Sequence, residues 1–420
     1  MRSVKFYTLG CKVNQYDTQE IRERFLEAGF AEAKAKEPAD IYVVNTCTVT
    51  AKADKDSLYY IHHSLRENPR ARIVVTGCGA GLDREKLQSQ PGVSLVVPNS
   101  RKNRIAAEFT RSAGKLKEGI SFFQGHTRAF LKIQDGCNNF CSYCRVPLAR
   151  GKSRSKKLPL IISEARALVK KGFKEIVLTG ICLGSYGKDL KPRRSLVDVV
   201  DALEGIEGLL RIRLSSIEAG DVTAGLIGKM AVSRKLCPHL HIPIQSGDNG
   251  ILRRMRRKYT REDYIRLIRG IKKAVPGVAI TTDVLVGFPG EEEENFKNTL
   301  DLVEKIAPLR VHVFPFSPRP GTAASVLAGA GFCDRRVKER VLRLRKLAEA
   351  ASSAFRAGFA GKKLQVLIER RCAEKPGFWE GYTGNYIKIL VRSRKNLKNK
   401  MIPARAGKAL GDAVAAAAGD

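Results

Sequence analysis

Short apolar runs separated by longer segments of helical periodicity set the pattern of the first hundred residues. The runs predict strands over 4–9, 41–44 and 73–76, and the periodic segments predict helices over 15–28 and 57–66. Strands alternating with helices in this way build a wound parallel sheet. Each strand runs straight into a cysteine, in Leu9-Gly10-Cys11, Asn45-Thr46-Cys47 and Thr76-Gly77-Cys78. The carboxyl ends of strands in an open α/β sheet share one rim where ligands bind, so three cysteines distant in sequence are expected to converge there. Three convergent thiolates suit an iron–sulfur cluster, although a single cysteine at any one of these positions is also an ordinary small buried hydrophobe.

A weakly periodic stretch over 114–125 reads as a linker, and a strand over 129–134 opens a second region. Helix patterns over 163–170 and 196–203 then alternate with strand patterns over 175–178, 211–214 and 279–286, the rhythm of an α/β barrel or part of one. Polar and glycine-bearing signatures follow these strands, and Gly180, Ser215, Glu218, Gln245, Asp283 and Gly287 are the candidate cofactor contacts. An amphipathic helix over 334–350 leads to strands over 364–369, 382–383 and 386–391, which suit a small β-barrel. The Ala-rich stretch 413–418 receives no element. The expected domains are 1–115, 126–355 and 356–420.

The densest chemistry lies at Cys137, Cys141 and Cys144, whose C-x3-C-x2-C spacing holds a 4Fe-4S cluster by three irons and leaves the fourth open. A zinc knuckle is the plainer alternative, but zinc takes four protein ligands and no neighbouring His or Cys completes a tetrahedron. A simple electron-carrying cluster is the other. Charge adds a partner: 76 Lys and Arg against 42 Asp and Glu give a net charge of +34, which suits a polyanion. Candidate RNA contacts are Arg150 and Arg154 after the cluster cysteines, Arg256 and Arg257 in the run Arg253 to Lys258, and Trp379, Tyr382 and Tyr386 in the terminal barrel. No apolar run approaches the roughly 20 residues of a spanning helix, and the first residues lack a signal-peptide core, so a cytoplasmic protein without membrane attachment is expected. Ten cysteines then point to metal binding rather than disulfides.

The cysteine motif resembles that of the radical S-adenosylmethionine superfamily, in which the cofactor's amino and carboxylate groups chelate the open iron and reduction releases a 5'-deoxyadenosyl radical. With both cysteine trios, nearly the whole chain is similar to the methylthiotransferase family. The resemblance implies a cluster on Cys11, Cys47 and Cys78, a radical cluster on Cys137, Cys141 and Cys144, and a terminal barrel of the TRAM type that grips tRNA. Thr8 to Thr18 (TLGCKVNQYDT) and Gly381 to Tyr386 (GYTGNY) look most like the branch acting on N6-threonylcarbamoyladenosine at position 37 of the tRNA anticodon loop. Two 4Fe-4S clusters and S-adenosylmethionine, as methyl donor and radical source, are implied, together with a flavodoxin- or ferredoxin-like electron donor. The sulfur donor is left open, and no catalytic side chain beyond the cluster ligands is expected. Alternatives are modification of isopentenyladenosine or of a ribosomal-protein aspartate, or a non-catalytic iron–sulfur RNA-binding regulator. Arg145, where the family has an aliphatic residue, reads as a solvent-facing substitution. Cys182, Cys237, Cys333 and Cys372 read as structural thiols.

Overall fold

The computed structural model describes residues 2–110, 118–327 and 334–418. Its first region is a sheet of five parallel strands in the order β2-β1-β3-β4-β5, with β1 (Ser3–Thr8), β2 (Ala31–Glu32), β3 (Ile41–Thr46), β4 (Arg72–Gly77) and β5 (Val93–Val96). Helices α1 (Lys12–Glu27) and α2 (Ala51–Glu67) cross between strands. β3 is buried throughout, as expected of a central strand covered on both faces. Val43 and Val74 pack with Phe25 and Ile105 on one face, and Tyr42, Val44 and Ile73 pack with Ile61 on the other.

The central region has two three-stranded parallel sheets. One has the order β10-β9-β6, formed by β6 (Ala129–Lys132), β9 (Glu175–Thr179) and β10 (Arg211–Leu214); between β6 and β9 a short antiparallel pair, β7 (Gln134–Asp135) and β8 (Arg154–Ser155), flanks the cysteine loop. The other is β11-β12-β13, from β11 (His239–His241), β12 (Ala279–Val286) and β13 (Arg310–Pro315). Parallel bridges Ile212↔Leu236 and Ser216↔His241 join them into one open, partial barrel. The terminal region is a closed barrel, β14-β15-β16-β18-β17, from β14 (Lys363–Arg371), β15 (Phe378–Thr383), β16 (Lys388–Arg392), β17 (Met401–Leu410) and β18 (Ala413–Ala418).

Two expectations need correction here. The stretch 413–418 is a strand, inserted between β16 and β17. Alanine has little intrinsic strand preference, and its conformation is imposed by two neighbouring backbones, which leave no local signal. The stretch read as a linker is pinned where it is described: Ile120 and Phe123 are buried in the central core, and the backbone N–H groups of Ser121 and Phe122 donate to Glu23 at 2.7 and 3.0 Å. Residues 114–117 and Cys333 lie outside the described residues. Cys237 and Cys372 are buried thiols.

The wound sheet is fastened to the partial barrel through α1. Asp17, fully buried, pairs with Lys102 of its own region and with Lys132 of β6, and lies 3.3 Å from Arg150. Asp135 receives Arg150 at 2.9 Å. Tyr16 donates to Glu164 at 2.8 Å and accepts from Lys156 at 2.8 Å. Burial by itself would raise the Asp17 carboxyl; Lys102, Lys132 and Arg150 overcome that and hold it at about 2. Asp17→Asn should therefore cost about 3–5 kcal/mol, read as a lowered urea midpoint, because it leaves three buried cations to share the single carboxylate of Asp135. The stabilisation is present above the unfolded carboxylate pKa and lost as pH falls through the folded value, so between pH 5 and 2 the Asp17→Asn protein should lose less stability than the parent.

Candidate functional site

The cysteines after β1, β3 and β4 meet because parallel strands end on one rim. Gly10 and Gly77 permit the approach. At Gly10 (φ +92°) an added Cβ would stand 2.8 Å from Cys47 Sγ, and at Gly77 (φ +95°) one would stand 2.3 Å from the Thr46 carbonyl oxygen. Cys11 is exposed, while Cys47 and Cys78 are buried. Desolvation pushes the Cys47 thiol up to about 11 and also raises that of Cys78. Cys137, Cys141 and Cys144 lie on the loop between β7 and the helix Val146–Arg150, and Cys144, with its thiol pushed up to about 11 by burial, feels both Cys141 and Cys78. The two trios are thus neighbours. A cavity of about 410 Å³ opens between them, lined by Cys11, Cys78 and Cys144 and by Gln245, Asp283 and Phe314 of the barrel.

Two arginines stand against these sulfurs and a third on the cavity wall, and all three are engaged within the protein. Arg150 was an expected RNA contact, but its side chain is fully buried; Nε donates to Cys78 Sγ at 3.4 Å and Nη2 donates to Asn14 Oδ1. Arg257, also expected to touch RNA, turns inward: Nη1 lies 3.4 Å from Cys141 Sγ and Nη2 pairs with Glu218. Arg145 corrects a further reading, since it is buried on the cavity wall and donates to Thr48 Oγ1 at 2.8 Å, with Asp83 3.3 Å away. The physical reason is shared. Guanidinium groups offset the negative charge that these cysteines take on when they bind metal as thiolates, and acids supplied by distant segments hold them there.

The terminal barrel holds three more corrections. Trp379 is buried in the barrel core. Tyr382 and Tyr386 stack on each other at 5.2 Å and face Arg128, whose guanidinium lies 5.1 and 5.3 Å from their rings. Arg211 and Arg213 of β10 donate to the carbonyls of Tyr382, Thr383 and Gly384 at 2.9 to 3.1 Å. Tyr382 and Tyr386 thus sit where the barrel docks on the central region. Arg154 and Arg256, by contrast, are exposed.

The expected cofactor contacts lie along the carboxyl rim of the partial barrel. Gly180 follows β9 beside Gln134, Ser215 follows β10, and Gly287 (φ +78°) follows β12 with its N–H donating to Glu291 at 3.2 Å. Gln245 holds φ +70°, a costly conformation for a residue with a side chain, and its backbone bonds on both sides to β12, at Asp283 and Leu285. Asp283 pairs with His241. Glu218 pairs with Arg257. Among the described residues, Thr179 Oγ1, Ser215 Oγ and Ser142 Oγ are buried polar atoms without a protein partner. Two of them stand at strand ends, where a polar cofactor would satisfy them, so the residues present fit S-adenosylmethionine. Thr179 and Ser142 escaped sequence reasoning because a hydroxyl lacking a partner is visible only in three dimensions. Cys182 lies beside the cluster loop, 3.6 Å from Asn139 Nδ2 and 3.1 Å from Ser185 Oγ.

Comparison with known proteins decides the family. The chain is 40% identical to the threonylcarbamoyladenosine tRNA methylthiotransferase MtaB of Bacillus subtilis (strain 168), across 97% of this chain and 94% of that protein. It belongs to the radical S-adenosylmethionine methylthiotransferase family. MtaB of Thermotoga maritima is 38% identical over 92% of this chain and 91% of its own length. A tRNA-2-methylthio-N(6)-dimethylallyladenosine synthase of Pelotomaculum thermopropionicum is 31% identical over 96% of this chain and 94% of its own length. Residues 3–98 match the family described as "Uncharacterized protein family UPF0004", and residues 131–303 match the Radical SAM superfamily. A radical S-adenosylmethionine methyltransferase, TsrM from Kitasatospora setae, shares the fold at a TM-score of 0.56 and 14% identity, covering 77% of each chain. Among the described residues no helix is long and apolar enough to cross a membrane.

An arginine 3.4 Å from a ligand sulfur favours the more negative state of what that sulfur binds. With the family's 4Fe-4S cluster held on Cys137, Cys141 and Cys144, as the motif implies, Arg257→Gln should lower its midpoint potential, measured by a redox titration followed by electron paramagnetic resonance.

Proposed function

We propose that this protein attaches a methylthio group to C2 of N6-threonylcarbamoyladenosine at position 37 of tRNA. The observation that carries the reading is the cavity bordered by cysteines of both trios. A base seated there touches both chemistries without either domain moving. Cys11, Cys47 and Cys78 would hold one 4Fe-4S cluster and Cys137, Cys141 and Cys144 another, with Ser215 and Thr179 meeting S-adenosylmethionine. When bound, these groups supply transferable sulfur, a methyl group and a radical able to take hydrogen from an unactivated C–H, which no side-chain base can do because adenine C2–H has no useful acidity. The chain's residues bind, orient and exclude water. Arg145 and Phe314 wall the cavity, and Arg150 and Arg257 hold positive charge beside the ligand sulfurs.

Substrate approach adds RNA and a reductant. The reaction on an anticodon-loop base requires an unstacked nucleotide, because a base within a stack cannot enter such a cavity. Exposed Arg154 and Arg256 remain the phosphate contacts of this reading, and an external flavodoxin- or ferredoxin-like protein supplies electrons. The relatives named for threonylcarbamoyladenosine are 38 to 40% identical, against 31% for the dimethylallyladenosine synthase, which supports the former substrate.

Nucleosides from the tRNA of a host lacking its own enzyme test the reaction directly. With the parent protein, mass spectrometry should find 2-methylthio-N6-threonylcarbamoyladenosine; a methylthio group on isopentenyladenosine would reassign the substrate. Purified Cys141→Ala should not cleave S-adenosylmethionine, whereas Cys47→Ala should cleave it and form no methylthiolated nucleoside. Full product from Cys47→Ala would end the two-cluster scheme. Neutralising Arg154 and Arg256 together should weaken tRNA binding and reduce the slope of log affinity against log salt by about 2, one for each phosphate that is no longer neutralised.

A further inference from the structure

Beside the cavity, the second sheet of the partial barrel carries a polar cluster in which Asp283, an expected cofactor contact, meets two histidines that no cofactor contact explains. His241 ends β11, Asp283 lies in β12 and His312 in β13; parallel pairing sets His241 opposite Thr281 and Asp283 opposite His312. His241 Nε2 is 3.2 Å from Asp283 Oδ1, His241 Nδ1 is 2.9 Å from Thr281 Oγ1, and the His241 and His312 ring centroids are 5.8 Å apart. Ligating atoms of His241, Asp283 and His312 all lie within 4.8 Å of one another, a spacing that would also suit a divalent metal.

The surrounding charge argues against a metal. Burial lowers the His312 imidazole, Asp283 opposes that, and the charges of His241, Arg310 and Lys12 lower it further. Lys12 comes from the opposite domain, immediately after Cys11, and its field also reaches His239 and Tyr386. Arg310 stands two positions before His312 on the same strand, and exposed Lys12 directly follows Cys11, which lines the cavity, so two cationic side chains border a space with one carboxylate, an excess that disfavours a dication and suits an anion. The cluster is continuous with the reaction cavity, because Asp283, Cys11 and Phe314 line that cavity and Phe314 stands two positions beyond His312 on the same strand. Lys12 and His312 are both exposed.

We propose that Lys12, His241 and His312 form a subsite for the carboxylate of an amino-acid substituent on adenosine N6, with Asp283 holding His241 and accepting a hydrogen bond from a substituent N–H. The inference rests on the proposed function and adds to it the groups that select the substrate. A threonylcarbamoyl group ends in a carboxylate and carries urea N–H donors. A dimethylallyl group is hydrocarbon and would offer no carboxylate to Lys12 and the imidazoles and no N–H to Asp283, the arrangement by which polar sites reject apolar analogues.

The test uses anticodon stem-loop oligoribonucleotides whose adenosine carries the threonylcarbamoyl group as the free acid or as its neutral carboxamide. Each is offered to the cluster-loaded, full-length protein, and kcat/KM is measured for both. The parent should prefer the acid roughly tenfold to a hundredfold, the size of a hydrogen bond to a charged group. That ratio should fall toward one in Lys12→Gln and in His312→Gln, and should persist in Lys12→Arg. Misfolding or poor cluster loading lowers both rates together and leaves the ratio unchanged, so the ratio reports the subsite alone. Equal use of acid and carboxamide by the parent, or a parental ratio in both Lys12→Gln and His312→Gln, overturns the subsite while the reaction stands. No methylthiolation of either oligoribonucleotide by the parent overturns the proposed function and the subsite with it.

Discussion

The buried charge cluster around Asp17 fixes the geometry on which the site depends. One carboxylate on α1 gathers an ammonium from its own region, an ammonium from the first strand of the partial barrel and a guanidinium from the cysteine loop. Such a cluster tolerates little displacement, because an unpaired charge in a dry interior is far more costly than a broken surface pair. Arg150 makes the constraint functional: the same guanidinium that meets Asp17 and Asp135 also reaches Cys78. Domain docking and the placement of one cysteine trio against the other are therefore the same set of hydrogen bonds.

A second theme is the fate of the positive charge. The composition suggests a polyanion partner, and exposed basic side chains do cover much of the surface. Yet the arginines nearest the chemistry face inward, each beside a sulfur or on the wall between the trios. Cysteines that bind metal do so as thiolates whose charge must be offset, and guanidinium groups can do this while remaining protonated in a desolvated setting. The same cationic environment suits the entry of an anionic nucleotide into the cavity.

Regular elements and the convergence of the cysteines were legible in the sequence because their signals are local. The strands ending at Cys11, Cys47 and Cys78 have apolar runs, and the spacing of Cys137, Cys141 and Cys144 is contiguous. What escaped depended on partners far along the chain. Nothing near Arg257 shows that Glu218 waits for it, and nothing near Arg150 shows that Asp17 does. Trp379 carries the same lesson: an aromatic on a basic strand reads as a stacking platform, but strand alternation turns it into the barrel core. Arg145 was misread for a different reason, since its neighbours Thr48 and Asp83 belong to the other domain.

The alanine strand β18 shapes how the terminal barrel can vary. It pairs parallel with β16 and antiparallel with β17, and it contributes backbone far more than side chain. Its seam is accordingly indifferent to which small residue stands at most positions and sensitive to how many residues there are. Shortening the chain by this one strand would expose the edges of β16 and β17 together, turning a closed barrel into an open sheet with two unpaired rims and a tendency to recruit strands from other molecules.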